Sequence, residues 1–237
     1  MTETLTISAR FNGPPGSGHG GYSAGLLAGR LDAEEVEVSL RAPLPLERPL
    51  SVNRVGEGVE LRDGDALLAE AVPTELALEV PRAVSTEEAR AASEAGYEHW
   101  TANHPFPTCV GCGPARGPGD GIGLVPGSLG DGRFAAEWTP DESLGDGAGR
   151  VRPECVWAAL DCPTSAPVAN FGEGPPILLA RLAARVGPAV RTGEPHAILS
   201  WPLEADGRKR HSAAALFDSN GRALSASRAL WIELKPR

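Results

Sequence analysis

The strongest constraint on the fold of this chain is that its two halves repeat the same order of elements. In the first half a strand over Thr4–Arg10 runs through a glycine and proline loop into a short apolar helix over Gly20–Leu31. Extended segments follow at Val36–Arg41, Leu50–Val55, Val59–Arg62 and Ala66–Val72. In the second, a strand over Arg133–Trp138 leads through a Gly/Asp loop to a short apolar helix over Pro153–Asp161, with Pro163 expected to end or kink it. Extended segments recur at Ile177–Val186, Ala197–Leu203, His211–Phe217 and Ala223–Leu234. The stretch from Val38 to Ala71 corresponds in order to that from Leu182 to Ser227, and each carries a turn before its last strand, Asp63-Gly64 in one and Asn220-Gly221 in the other. Asp-Gly and Asn-Gly tolerate the positive φ of a hairpin turn, so these are strand connections with a mechanism. A repeat of this length implies two copies of one fold. The 29 glycines and 22 prolines among 237 residues favour the same β-rich reading over a helical bundle.

The loop from Phe11 to Gly21, ahead of the first helix, is the most distinctive local stretch. Backbone amides at a helix start form an anion or oxyanion site, and glycines let a ligand approach them. Gly16-Ser17-Gly18-His19-Gly20-Gly21 formally fits the dinucleotide fingerprint G-x-G-x-x-G. The context opposes that reading, because Pro14-Pro15 occupies the tight turn and no alternation of strand and long helix follows. A tightly packed glycine loop is the simpler alternative to an oxyanion role.

Between the halves the pattern breaks. Thr86–Trp100 reads as a surface helix with Ser85 or Thr86 as N-cap and Glu87 and Glu88 in its first turn, favourable against the helix dipole. Turn-rich chain follows from His104 to Gly121. The resulting division is an N-terminal lobe over 1–80, a connecting segment over 81–131 and a C-terminal lobe over 132–237.

A net charge of −9 argues against nucleic acid as a partner, because phosphate contacts need a basic face. Met1-Thr2-Glu3-Thr4 lacks the character of an export signal and no apolar run reaches membrane-spanning length, so the sequence predicts a soluble cytoplasmic protein without a membrane partner. In that compartment Cys109, Cys112, Cys155 and Cys162 are expected as free thiols. Cys109-Val-Gly-Cys112 is one half of a zinc knuckle, and His99 or His104 could complete it. With no second C-x-x-C, a structural loop and no metal is the expectation. Cys155 and Cys162 flank the second helix and are expected to pack as small apolar residues. Arg208-Lys209-Arg210 reads as a solvated hairpin tip, with a coenzyme phosphate contact as the alternative.

A strand, a buried helix and an antiparallel meander around it, present twice, resemble the double hot-dog acyl-CoA thioesterases. His19-Gly20-Gly21-Tyr22 looks like the Gly-Gly turn such enzymes carry before the first helix, and Trp157-Ala158-Ala159-Leu160-Asp161 looks like the second-lobe helix that bears their aspartate. The resemblance implies an α+β fold of two tandem hot-dog domains, each an antiparallel sheet wrapped around a short buried helix. It also implies hydrolysis of an acyl-CoA or related thioester without a cofactor. Asp161 would act as general base or nucleophile, and amides at Gly20, Gly21 or Tyr22 would hold the oxyanion, worth ~3 kcal/mol per donor.

The chain departs from the family where a polar amide orients the water. Its last strand reads Ser225-Ala226-Ser227-Arg228-Ala229, without glutamine, and Tyr22 stands where a glutamine is common. Thr164, Ser165 and Ser227 are the substitutes. Asp161 near a helix C-terminus is costly for a carboxylate, which suits a functional role, with a cap on the turn around Pro163 and Thr164 as the equal alternative. Glu154 is a second candidate.

Two other functions stay open: a non-catalytic acyl-ligand or scaffold protein on the same fold, and a hydratase or dehydratase. The last would need an imidazole such as His196 or His211 beside Asp161. His19 reads as a structural or solvated loop histidine. Association of copies through sheet edges is a further possibility.

Overall fold

The computed structural model describes residues 3–169 and 174–235. Met1 and Thr2, where the reading of the N-terminus begins, lie outside the described residues. The elements in chain order are β1 (Glu3–Thr6), α1 (Gly20–Ala28), β2 (Glu35–Leu40), β3 (Pro49–Val55), β4 (Gly58–Asp63), β5 (Ala66–Pro73), α2 (Thr86–Asn103), β6 (Gly127–Ser128) and β7 (Phe134–Trp138). They continue with α3 (Pro153–Ser165), β8 (Ile177–Val186), β9 (His196–Asp206), β10 (Lys209–Phe217) and β11 (Ala223–Glu233).

The strands form one antiparallel sheet of order β1-β3-β4-β5-β2-β8-β11-β10-β9-β7-β6. At its centre β2 pairs with β8, with Val38 opposite Leu182. Outward from that seam the first half runs β5, β4, β3, β1 and the second runs β11, β10, β9, β7, so the strand order mirrors the sequence repeat. Gly64 and Gly221 adopt φ of +58° and +77°, as the two predicted turns require.

Three predicted boundaries move. The first strand stops at Thr6, because Ala9–Phe11 closes a 3₁₀ turn capped by Ser8. α1 ends at Ala28, where Arg30 and Leu31 donate to carbonyls three residues back. Pro163 sits inside α3 rather than ending it. Proline removes one helical donor, and hydroxyls from around the helix donate to its last-turn carbonyls: Ser227 to Leu160, Thr164 to Asp161, Ser165 to Cys162 and Ser212 to Thr164.

The two apolar helices lie against one face of the sheet in the main core, with Leu27, Trp157 and Leu160 among its buried members. α2 starts on a capping box in which Ser85 and Glu88 bond each other's backbone amides. Its Ala89 and Ala92 pack on the opposite face of the second half, against Ala135, Leu199 and Trp201. Strands β9 and β10 are therefore buried on both faces over much of their length, which is why alternation fades there into runs such as Ala213-Ala214-Ala215. Among the described residues no helix is long and apolar enough to cross a membrane.

Candidate active site

α1 and α3 cross in close contact because α1 presents glycine to α3. A Cβ on Gly21 would lie 2.5 Å from the Asp161 Cβ and 2.7 Å from the Trp157 carbonyl oxygen, and one on Gly25 would lie 2.6 Å from the Glu154 Cα. At the first of these contacts the Gly21 amide donates to Asp161 Oδ2 at 2.6 Å. The N-terminus of α1, the favourable end of its dipole, thus meets a carboxylate at the C-terminal end of α3.

His19 is the N-cap of α1, with Nδ1 accepting from the Tyr22 amide at 3.2 Å. That bond places the proton of the neutral ring on Nε2, which lies 3.5 Å from Asp161 Oδ2 and 3.2 Å from Cys162 Sγ. Burial works against a charge on His19 while Cys109 and Asp161 favour one, with a net upward shift in its pKa. The Tyr22 amide aimed at Nδ1 opposes the second proton, so we describe the ring as a neutral Nε2–H donor.

Asp161 is buried. Its pKa is pushed up to about 6 by burial, against the lowering pull of His19 and the Gly21 amide. Oδ2 is anchored, whereas Oδ1 is buried and has no hydrogen-bond partner among the described residues. Asp161, His19 and Gly20 line a cavity of about 450 Å³, whose walls also include Pro14, Leu40, Phe106, Leu179 and Trp231.

Of the residues the sequence singled out, Gly20, Gly21 and Asp161 come together. Tyr22 turns its ring away to stack on Phe11, with centroids 3.8 Å apart, and spends its amide on His19. Thr164, Ser165 and Ser227 are buried and donate their hydroxyl protons to α3 carbonyls, and Thr164 Oγ1 also accepts from Trp231 Nε1 at 2.9 Å. They hold the turn that carries Asp161. Glu154 lies at the other end of α3, beside Arg152 at 3.8 Å.

His196 is buried near Trp138 and His211 faces Glu204 at 3.9 Å, whereas the imidazole beside Asp161 is that of His19. Its place just before Gly20-Gly21 was the sequence signal for it. Arg208-Lys209-Arg210 forms the predicted hairpin tip, where Lys209 pairs with Asp206, Arg210 pairs with Glu233 and Arg208 donates to the Glu233 carbonyl.

Cys155 packs in the main core as expected. Cys162, expected to do the same, lies inside α3 and meets Cys109 and Cys112 on the cavity wall. Bonds from Cys112 and Cys162 hold the Cys109 thiol well below its usual range.

No family model matches the chain, and no curated protein matches it significantly. Solved structures match it over nearly its whole length. The tesB protein of Mycobacterium avium subs paratuberculosis superposes with a TM-score of 0.57 at 15% identity, covering 98% of this chain and 92% of the other. A protein with hot dog fold from Alicyclobacillus acidocaldarius gives 0.55 at 10%, covering 99% and 93%. The fold is a hot-dog fold. A Thermobifida fusca structure described as a thioesterase II gives 0.53 at 13%, covering 99% and 96%. The chain thus shares its fold with these structures along nearly its whole length, as the order of its elements implied.

Proposed function

We propose that the protein hydrolyses an acyl thioester, an acyl-CoA or a related carrier-bound acyl group, with Asp161 as the catalytic carboxylate. The observation that carries this reading is the inequality of the two Asp161 oxygens: Oδ2 is anchored by Gly21, and Oδ1 has no partner at the wall of an apolar cavity. In this reading residues 1–80 and 132–237 are two hot-dog domains joined by 81–131, and the acyl chain lies between them. Oδ1 takes a proton from water as its oxygen adds to the thioester carbonyl carbon. The carbon–sulfur bond then breaks and the proton passes to the departing thiolate. A carboxylate with a pKa of about 6 is ionised at neutral pH and still basic enough to take that proton.

The donors for the oxyanion are the Gly20 amide, which as the first helical residue has no partner within α1, and His19 Nε2–H. The Gly21 and Tyr22 amides, engaged by Asp161 and His19, serve as supports. The likeness to structures described as tesB and thioesterase II supports the same chemistry.

The pairing of His19 with Asp161 favours one second reading, hydration or dehydration of an acyl thioester. That reaction needs an imidazole able to take a proton from carbon, and the His19 Nδ1 is already an acceptor from Tyr22. Hydrolysis is therefore the better fit. The test is thiol release from acyl-CoA esters of short to long chain, wild type against Asp161→Asn. Turnover that disappears in the variant is expected, whereas absence of turnover on every ester would leave an acyl-binding protein. Loss of enoyl-thioester absorbance without thiol release would establish the second reading.

A further inference from the structure

The cavity has a second polar wall, whose cysteines the hydrolysis above does not use. Three cysteines meet there, two from the segment after α2 and one from α3. Cys109 Sγ lies 3.9 Å from Cys112 Sγ and 4.0 Å from Cys162 Sγ. Zinc–sulfur bonds of about 2.3 Å at tetrahedral angles set sulfur atoms about 3.8 Å apart. The backbone is shaped to allow the approach, because a Cβ on Gly111 would lie 2.5 Å from Cys162 Sγ and 2.7 Å from His19 Nε2.

Two imidazoles face the sulfurs, His19 Nε2 at 3.2 Å from Cys162 and His104 Nε2 at 3.2 Å from Cys112. The Nδ1 of each accepts a backbone amide, from Tyr22 at 3.2 Å and from Phe106 at 3.0 Å. Both neutral rings therefore keep their proton on Nε2: that of His104 is aimed at Cys112, and that of His19, the oxyanion donor, stands at the edge of the sulfur cluster. N–H donors of this kind complement thiolate ligands from the outer shell, as partners of metal ligands do.

We propose that Cys109, Cys112 and Cys162 bind one thiophilic divalent cation of the zinc class, with a fourth position open to the cavity. Three sulfur–metal bonds form, three thiol protons leave to solvent, and nothing is oxidised or reduced. The ion ties the segment after α2 to α3 one residue from Asp161, and so fixes that wall of the cavity. His19, Cys109 and Cys162 bring one ligand atom each within 4.8 Å of one another, but with Nδ1 accepting from Tyr22 and the proton on Nε2 the ring stays at the rim as a donor, and Cys112, 3.9 Å from Cys109, supplies the third sulfur.

The test is titration of the fully reduced, chelator-treated protein with Co²⁺, followed by displacement with Zn²⁺. Saturation at one equivalent is expected, with a sulfur-to-cobalt charge-transfer band and the ligand-field bands of a tetrahedral site, all removed by Zn²⁺. Cys109→Ser, Cys112→Ser and Cys162→Ser should each weaken binding at least about tenfold, a loss on the scale of those that follow damage to a metal's supporting shell. Cys155→Ser, whose residue packs in a separate core cluster, should bind like wild type. Absence of the charge-transfer band from the reduced wild-type protein overturns the proposal, and that measurement needs no variant to fold. Binding that survives Cys109→Ser and Cys162→Ser overturns it too, as does an intact mass lower by two hydrogens in purified protein that takes up no metal once reduced. None of these readouts depends on thioester turnover.

Discussion

The crossing of α1 and α3 has two ends, and they have almost nothing chemical in common. At one, Gly21 meets Asp161, His19 caps the helix, and the cavity opens. At the other, Gly25 packs on the Glu154 Cα, Arg152 stands at the N-cap of α3 without a side-chain capping bond, and Tyr22 and Phe11 stack. Ala28 follows Gly21 by the same interval at which Asp161 follows Glu154, and it is buried and chemically silent. The proposed hydrolysis needs unlike contributions, amide and imidazole donors from one helix start and an acid from the other helix. Among the described residues such a set meets at one end of the crossing.

The largest effect expected from breaking that asymmetry is on turnover. Asp161→Asn should lower kcat by about a hundredfold or more, the scale of a lost general base, while Glu154→Gln at the silent end leaves kcat nearly unchanged. Steady-state thiol release compares them directly, and equal losses would erase the distinction between the ends.

Next come the two glycine contacts. Gly21→Ala and Gly25→Ala both force a methyl into a gap too small for it, so chemical denaturation should give each a loss of roughly 1–3 kcal/mol. Only Gly21→Ala should also depress kcat, since it alone displaces Asp161.

The pH dependence is of similar size. Because folding raises the Asp161 pKa from 3.8 to about 6, the folded state holds this proton more tightly than the unfolded chain does. The stability it contributes is full below pH 4, is lost as pH rises towards 6, and amounts to about 3 kcal/mol as an order of magnitude. Asp161→Asn should therefore gain on wild type over that interval and melt higher at neutral pH, while wild-type activity rises through pH 6. Parallel pH–stability curves for the two proteins would contradict the assignment.

The smallest effect belongs to Thr164→Val, which removes a donor to the Asp161 carbonyl and the acceptor of Trp231. A cost of roughly 1–2 kcal/mol by thermal melting, with a loss of turnover well below that of Asp161→Asn, is the expected result.

The sheet was legible where local chemistry decides it. Asp63-Gly64 and Asn220-Gly221 announce their hairpins, and the pairing of Val38 with Leu182 joins residues that the repeat had aligned. Asp161 and Gly21 were legible as separate motifs. Their mutual bond was not, because it depends on a helix crossing that no spacing encodes. Pro163 lies inside the helix rather than at its end, and the hydroxyls that serve the carbonyls of that last turn include Ser212 and Ser227, from strands far along the chain. The three-sulfur cluster escaped as well, since Cys162 read as an apolar helix residue until folding brought it to the C-x-x-C loop.

The seam between β2 and β8 has a consequence for any attempt to separate the halves. Each of those strands would become a sheet margin, five and more residues of unpaired amides and carbonyls ready to template another strand. In the intact chain the margins fall instead on β1 and β6, of only four and two residues. Joining the two halves in one chain thus does more than place two helices side by side: it hides the most adhesive backbone in the middle of the sheet and leaves its shortest strands outside.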